Sequence, residues 1–487
     1  SQLAEGASGH FERLYKGQPS MPRTPLYKGD STRVIFERWL DILKKHAAQY
    51  PDTIAYDMSR KDKIGPRGGY PPWSDRKDEL EKYATRLREV DLSDPNLKAA
   101  VDDARKFLGI TGLRGLRPIS ARRVLNRDIF EDKVQTNSGC PDFSKRSRPE
   151  VQAKAVSDAE TGVWKSYPYV IAERTQRHGK TRFIFMAPMS SNLVEKGFIL
   201  PLFDRFRDAK HPELSAWEGF DSVENYGPSH TDTEYVSTDF TGMDQTVGPS
   251  QLSILFSLLD GVYQDNAKMR EVLGNCITAN VQVEYLKAWA PPQHGLPSGA
   301  GGTNFYETLL AVIMHFLAMR LSGQTHRFQV LGDDGVAFGA SGLADSLLGA
   351  AELMGFEMNP EKQRVSSKDY VYLQRYFNPK ELGSVGAYPT IQALNACVYP
   401  ERFHNPDKWG PRMESLRWIM ILENCKHHPA FHDLIDYVKN GDKYKLDLGS
   451  NASSLYEEAK AIPGFVPSYN QASITRKLDD FETIKYL

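Results

Sequence analysis

In the first hundred positions apolar residues recur at helical spacing between proline and glycine breaks. Arg33 to Tyr50 carries Val34, Leu40, Ile42, Leu43 and Ala47 in one helical reach, which Pro51 is expected to stop. Asp78 to Val90 and Asp94 to Leu108 repeat the pattern, with Gly109 ending the second. Ahead of them Gly65 to Trp73 reads as a loop on its Gly/Pro density. The middle of the chain then changes period. Tyr167–Ile171, Thr181–Met186 and Glu234–Thr238 read as short strands, and Leu193–Asp208 and Ser250–Tyr263 as helices. Thr303 to Leu321 is a long apolar helix. It is followed by strands Phe328–Leu331 and Val336–Phe338 around a four-residue turn. Leu343–Met354 is helical with Gly355 past its end. Trp409–Cys425 and Phe431–Val438 are apolar helices, and the last forty residues read as polar and irregular.

Composition narrows the class. The 487 residues are 40% hydrophobic and 25% charged, a globular balance too long for one core, so several subdomains are expected. Charges interrupt every long apolar stretch, so no membrane-spanning helix is expected. Ser1-Gln-Leu-Ala-Glu-Gly shows no leader pattern, and Cys140, Cys276, Cys397 and Cys425 form no CxxC pair. Both features point to a reducing, intracellular setting. Net charge is -1, yet Ala104 to Arg182 holds 17 Lys/Arg against 8 Asp/Glu, a local excess of +9. A polyanion-binding protein needs cations on one surface rather than a high overall charge, although a solvated basic face gives the same count.

Candidate chemistry centres on carboxylates. Leu331-Gly-Asp-Asp-Gly335 places Asp333 and Asp334 on a tight turn, where adjacent like charges favour a divalent cation. Alone, acidic pairs beside glycine are more often ordinary turns. Ser237-Thr-Asp-Phe-Thr-Gly-Met-Asp244 adds Asp239 at a strand end and Asp244 five residues on. A strand-end carboxylate facing a turn pair can hold two Mg²⁺ ions for nucleotidyl transfer. Between them in the chain, Pro297-Ser-Gly-Ala-Gly-Gly-Thr-Asn304 is a Gly-rich loop opening onto the long apolar helix, suited to close approach by a sugar or phosphate.

DxxxxD, then SGxxxT on a helix, then GDD in a hairpin resembles motifs A, B and C of viral RNA-dependent RNA polymerases. Upstream, Thr136-Asn-Ser-Gly-Cys-Pro141 resembles template-entry motif G, and Glu173-Arg-Thr-Gln-Arg-His-Gly-Lys-Thr-Arg182 resembles basic motif F. Downstream, Met358-Asn-Pro-Glu-Lys362 resembles motif D and Tyr372-Leu-Gln-Arg375 motif E. The wording LPSGAGGTNFYET and LGDDGVAF is most similar to the double-stranded RNA virus polymerases of picobirnaviruses, and more distantly of partitiviruses.

The resemblance implies an α+β right hand with a small antiparallel palm sheet. Residues 1–225 would be an N-terminal extension and fingers, 226–265 palm, 266–292 a fingers excursion, 293–384 palm, and 385–487 thumb and tail. It implies metal ligands Asp239, Asp333 and Asp334, with two Mg²⁺ ions (Mn²⁺ as a substitute) and Lys362 as general acid. Arg174, Lys180, Arg182, Asp244, Ser298, Gly299 and Thr303 would bind the nucleotide. Ser138, Gly139, Pro141 and Arg375 would contact template or product RNA. Template and product RNA and ribonucleoside triphosphates follow as partners, with the capsid protein as a candidate. A monomer in the virion interior and host cytoplasm, starting without a primer, completes the expectation. The 461–487 tail is then a candidate initiation element.

One position departs from the family. Motif B usually carries Asn four residues after its Thr, to pair with the second Asp of motif A; here that register holds Glu307, while Asn304 faces elsewhere on the helix. Two alternatives compete. A reverse transcriptase would share the palm but have an aromatic residue two before its acidic pair and a bulky residue at Asp244; Leu331 and Asp244 disfavour it. A non-catalytic RNA-binding virion protein would not need the three metal carboxylates. Cys425, His427, His428 and His432 are weighed as a structural zinc set, with Pro429 disturbing their register. Gly109-Ile-Thr-Gly-Leu-Arg-Gly115 is a poor dinucleotide fingerprint.

Overall fold

The computed structural model describes residues 5–402, 410–443, 454, 456–458 and 478–487. It divides into two compact units: Ser1–Lys16, Pro72–Ala172 and Phe183–Tyr370 make the first, and Gly17–Pro71, Glu173–Arg182 and Val371–Leu487 the second. This partition pools an N-terminal stretch with the C-terminal region, a grouping that does not follow the motif order.

The first unit is organised on an antiparallel sheet of strands β3 (Glu234–Asp239), β6 (Arg327–Leu331), β7 (Asp334–Gly339) and β8 (Arg364–Ser366), in the order β6-β7-β3-β8. Val236, Val330, Val336 and Ala337 are buried in these strands, and the short edge strand β8 carries the exposed Val365. Helix Thr303–Ser322 packs against helices Pro95–Phe107 and Leu343–Leu353. Its Leu309, Leu310, Val312, Ile313, Met314 and Leu317 are all fully buried, each worth about 1.5–3 kcal/mol of transfer free energy. By length and apolar content this helix passes as a membrane span, against the expectation that charges exclude one; its burial makes it a core helix. Pro95–Phe107 starts as its sequence requires, with Pro at the first position and the Asp94 carboxylate accepting the Leu97 N–H.

A second sheet in the order β2-β1-β4-β5 comprises β1 (Tyr169–Arg177), β2 (Lys180–Met186), β4 (Val281–Glu284) and β5 (Lys287–Trp289). The base of its β1–β2 hairpin belongs to the first unit and the tip, Glu173–Arg182, to the second.

In the second unit, helices Thr32–Lys44, Pro51–Met58, Thr390–Val398, Pro411–Glu423 and Phe431–Gly441 enclose a core with Trp39 and Trp418 fully buried. Pro51 opens a helix at its first turn, where a missing N–H costs nothing, and the preceding helix stops at Lys44. The buried Asp57 carboxylate accepts the N–H groups of Thr390 and Ile391 and the Thr390 hydroxyl, and lies 2.8 Å from His428 Nε2. His428 Nδ1 accepts the Ala430 N–H, His432 stacks on Tyr486, and burial pushes the Cys425 thiol well above its usual range. Cys425, His428 and His432 therefore serve separate packing roles, and among the described residues the four candidate zinc ligands do not come together as one metal-ligand group. Strands β9 (Tyr370–Tyr372), β10 (Arg375–Phe377) and β11 (Gly386–Ala387) form a small sheet in the order β11-β10-β9.

The chain end is not wholly irregular. Leu478 and Phe481 pack against Met413, Leu416, Ile419 and Met420, and Glu423 accepts the N–H groups of Glu482 and Thr483. Residues 461–477 of the expected initiation tail lie outside the described residues.

Candidate active site

Register decides where the acidic groups of the first unit meet. β3 and β7 pair from Glu234↔Gly339 to Asp239↔Asp334, so the last residue of one strand faces the first of the other. Directly opposed residues have Cα atoms about 4.5–5.5 Å apart. The β6–β7 turn is two residues, Gly332 and Asp333, because Leu331 already pairs with Asp334. The four-residue turn read from the sequence is thus too long, and Asp334 is a ladder residue rather than a tip residue. Gly332 holds φ +59°, which a two-residue hairpin turn needs and a side chain resists. Asp239 and Asp333 are exposed and Asp334 is half-buried.

Helix Thr303–Ser322 fixes that turn from below. Thr308 Oγ1 accepts the Gly332 N–H at 2.8 Å and donates to the Asn304 carbonyl at 2.6 Å. Asn304 Nδ2 lies 3.2 Å from the point a Cβ on Gly332 would occupy, and its Oδ1 accepts the Trp217 Nε1–H at 3.1 Å. Asn304 therefore faces the acidic turn. The sequence reading missed both supports, since neither belongs to a recognised spacing.

The Gly-rich loop is held closed. Thr303 donates its hydroxyl to the Pro297 carbonyl at 2.7 Å, so this expected nucleotide-binding residue is buried and shapes the loop. A Cβ on Gly299 would stand 1.6 Å from the Phe185 carbonyl oxygen, so only glycine lets the loop lie against β2. Ser298 is exposed. Beneath the loop, Glu195 is fully buried and accepts the Tyr306 hydroxyl at 2.6 Å and the Gly301 N–H at 3.2 Å. Burial pushes this carboxyl up to about 7, against the pull of those bonds.

Asp244 is half-buried in a helical turn, and its carbonyl accepts the Leu296 N–H at 2.7 Å, joining motif A to the approach of motif B. Glu307 contacts the Asp244 carboxylate. Burial first, then Asp244 and Asp333, hold the Glu307 carboxyl well above the usual carboxylate range, which favours its protonated form. The like-charge conflict foreseen in the sequence thus raises the Glu307 carboxyl rather than separating the two side chains.

Lys362 is exposed beside Gln363, whose side chain clamps the Asp239 backbone. Gln363 Oε1 accepts the Asp239 N–H and Nε2 donates to the Asp239 carbonyl, both at 2.8 Å. The motif D lysine is thereby one residue from a direct tether to the motif A aspartate.

Motif G is a tight loop in the same unit: Ser138 is buried and its hydroxyl accepts the Ser144 N–H, Gly139 accommodates the turn, and Pro141 is half-buried. In the second unit, Lys180 and Arg182 are exposed on the β1–β2 tip. Arg174 instead lies 3.0 Å from Glu401 Oε1, while Arg67 holds Glu401 Oε2 at 2.9 Å. Arg375, expected at the product strand, is buried, with its guanidinium donating to Leu373 and Asn424 inside this unit.

A strand-end aspartate facing an acidic hairpin, with a Gly-rich loop on the adjoining helix, defines a nucleotidyl-transfer palm. The profile of viral RNA-dependent RNA polymerases matches residues 149–435, more than half of the chain, and the chain belongs to that family. It is an RNA-dependent RNA polymerase with the right-hand fold, and the reverse-transcriptase and non-catalytic alternatives fall away. It is 28% identical, over 95% of its length and 87% of the relative's, to a potential RNA-dependent RNA polymerase of human picobirnavirus. The crystal structure of a human picobirnavirus polymerase matches with a TM-score of 0.80 and 25% identity, covering 99% of this chain and 96% of that one. An insertion-loop deletion mutant of such a polymerase matches at 0.78 and 26%, covering 94% and 93%.

Proposed function

We propose that Asp239, Asp333 and Asp334 hold two Mg²⁺ ions for nucleotide addition during transcription and replication of a double-stranded RNA genome. The Asp239↔Asp334 register, with Asp333 beside it, carries this reading. The donor set fits: carboxylate oxygens on rigid elements suit a hard divalent cation, with Mn²⁺ as a substitute. When bound, such ions neutralise the attacking 3′-oxygen and the leaving phosphate.

The chain's own groups do the rest. Thr308 and Gln363 hold the acidic turn and the Asp239 backbone in place, so little reorganisation accompanies reaction. Lys362 gives a proton to the departing pyrophosphate. Asp244 accepts the ribose 2′-hydroxyl, and neutral Glu307 donates its O–H to Asp244, the bond an Asn amide would otherwise make. Lys180 and Arg182 bind the triphosphate; Arg174 joins them when it leaves Glu401. Ser298 and Gly299 border the sugar, and Ser138, Gly139 and Pro141 guide the template. The polymerase works as a monomer in the virion interior and host cytoplasm, with the capsid protein as a partner, and starts without a primer.

The test is incorporation of labelled ribonucleotides by the purified full chain with Mg²⁺ and a viral or homopolymeric template, with and without primer. Product in both settings is expected; synthesis only with primer would overturn the initiation reading.

A further inference from the structure

The last turn of helix Lys77–Thr85 and the non-helical segment after it lace along the catalytic motifs of the first unit. Tyr83 accepts the Gly295 N–H at 2.6 Å, and Val90 donates to Ser250 Oγ at 3.3 Å. Between them Arg86 reaches motif A. Its Nη2 donates to the Thr241 carbonyl at 2.7 Å and to Glu357 Oε2 at 2.9 Å. Its Nη1 donates to Gln245 Oε1 at 2.6 Å and lies 3.4 Å from the Gly242 carbonyl. Gln245 is held in turn by Glu79 at 2.9 Å, and Thr241 donates its N–H to the Glu357 carbonyl at 2.8 Å.

The guanidinium side chain is 19% exposed, and its partners flank Asp244 on both sides. Two carbonyls precede Asp244 and one side chain follows it. A planar fork can satisfy such divergent acceptors at once, whereas a lysine ammonium cannot. Gly242 leaves the necessary room: a Cβ there would stand 2.3 Å from Arg86 Nη1.

We propose that Arg86 is a positioning residue for nucleotide selection, holding the turn that carries Asp244 at the place where the ribose is read. The inference rests on Asp244 as the 2′-hydroxyl acceptor. Arg86 touches no substrate; it acts through the backbone on either side of Asp244. A misplacement of order 1 Å can cost about 100-fold in rate, so a loosened turn should erode discrimination.

The experiment measures kcat/KM for a ribonucleoside triphosphate and its 2′-deoxy counterpart, with the full chain carrying Arg86→Lys, Gln245→Leu or Asp244→Ala. A merely structural role would lower melting temperature without moving the ratio of the two values. The expected result is a ratio narrowed about tenfold by Arg86→Lys, less by Gln245→Leu, and most by Asp244→Ala. If Asp244→Ala narrows the ratio while both other variants stay within about twofold of the parent, Arg86 is not a positioning residue. If Arg86→Lys does not fold, an unchanged ratio in Gln245→Leu overturns the proposal equally. An unchanged ratio in Asp244→Ala overturns the ribose reading, and this inference with it.

Discussion

Two hairpins of this polymerase carry clustered charge of opposite sign, and they control it differently. In β6–β7 the acidic residues are placed by a continuous ladder, a two-residue turn and one hydroxyl from the helix beneath. Position there follows from strand pairing and a single side-chain support. In the β1–β2 tip the cations stand on a hairpin too, but Arg174 is tied to Glu401, which also holds Arg67. What a charge can bind is therefore set in the first hairpin by register and in the second by a competitor from far along the chain.

The largest effect should come from breaking the first hairpin. Asp333→Ala should reduce nucleotide addition by on the order of 10³-fold, since several kcal/mol of transition-state stabilisation are lost. RNA affinity in a filter-binding assay should stay within a few-fold. Near-parental incorporation would remove Asp333 from the metal set.

Next is Glu307, beside the same turn. Glu307→Gln keeps a donor toward Asp244 and should retain ribonucleotide preference, whereas Glu307→Leu should narrow it by about 10-fold or more. Single-nucleotide competition between ribo and deoxy substrates reads this directly. Loss of preference in the Gln variant would show that the carboxyl acts as an anion.

The second hairpin should respond more mildly, and unequally. Arg182→Ala, at an exposed cation, should raise the nucleotide KM by roughly tenfold at unchanged melting temperature. Arg174→Ala should also lower the melting temperature, because it leaves Glu401 with one fewer guanidinium. Identical behaviour of the two variants would erase the contrast between them.

The last effect, on stability and not on nucleotide addition, is a pH dependence beneath the Gly-rich loop. Glu195 has its carboxyl raised from 4.5 to about 7, so the folded state holds the proton more tightly than the unfolded chain. Its contribution to stability is complete below about pH 4.5 and is lost as pH rises through about 7, some 2–4 kcal/mol across that window. Glu195→Gln should remove this component, so its melting temperature should gain on the parent from pH 5 to pH 8. A constant difference across that range would show that Glu195 does not titrate there.

The sequence alone determined the acidic motifs, their order, the hairpin between Leu331 and Gly335, and the long apolar helix, because period, turn residues and spacing are local properties. It also exposed the Glu307 anomaly, since a departure from a motif is visible without coordinates. Tertiary structure alone decided that Asp239 faces Asp334, that Thr308 and Gln363 support them, and that Arg375 is buried. It also decided that Arg86 grips motif A and that Glu401 holds Arg174. The reason is physical. A hydrogen bond or ion pair between residues far apart in the chain leaves no periodic trace, and a buried carboxyl reveals its proton only once its surroundings are fixed.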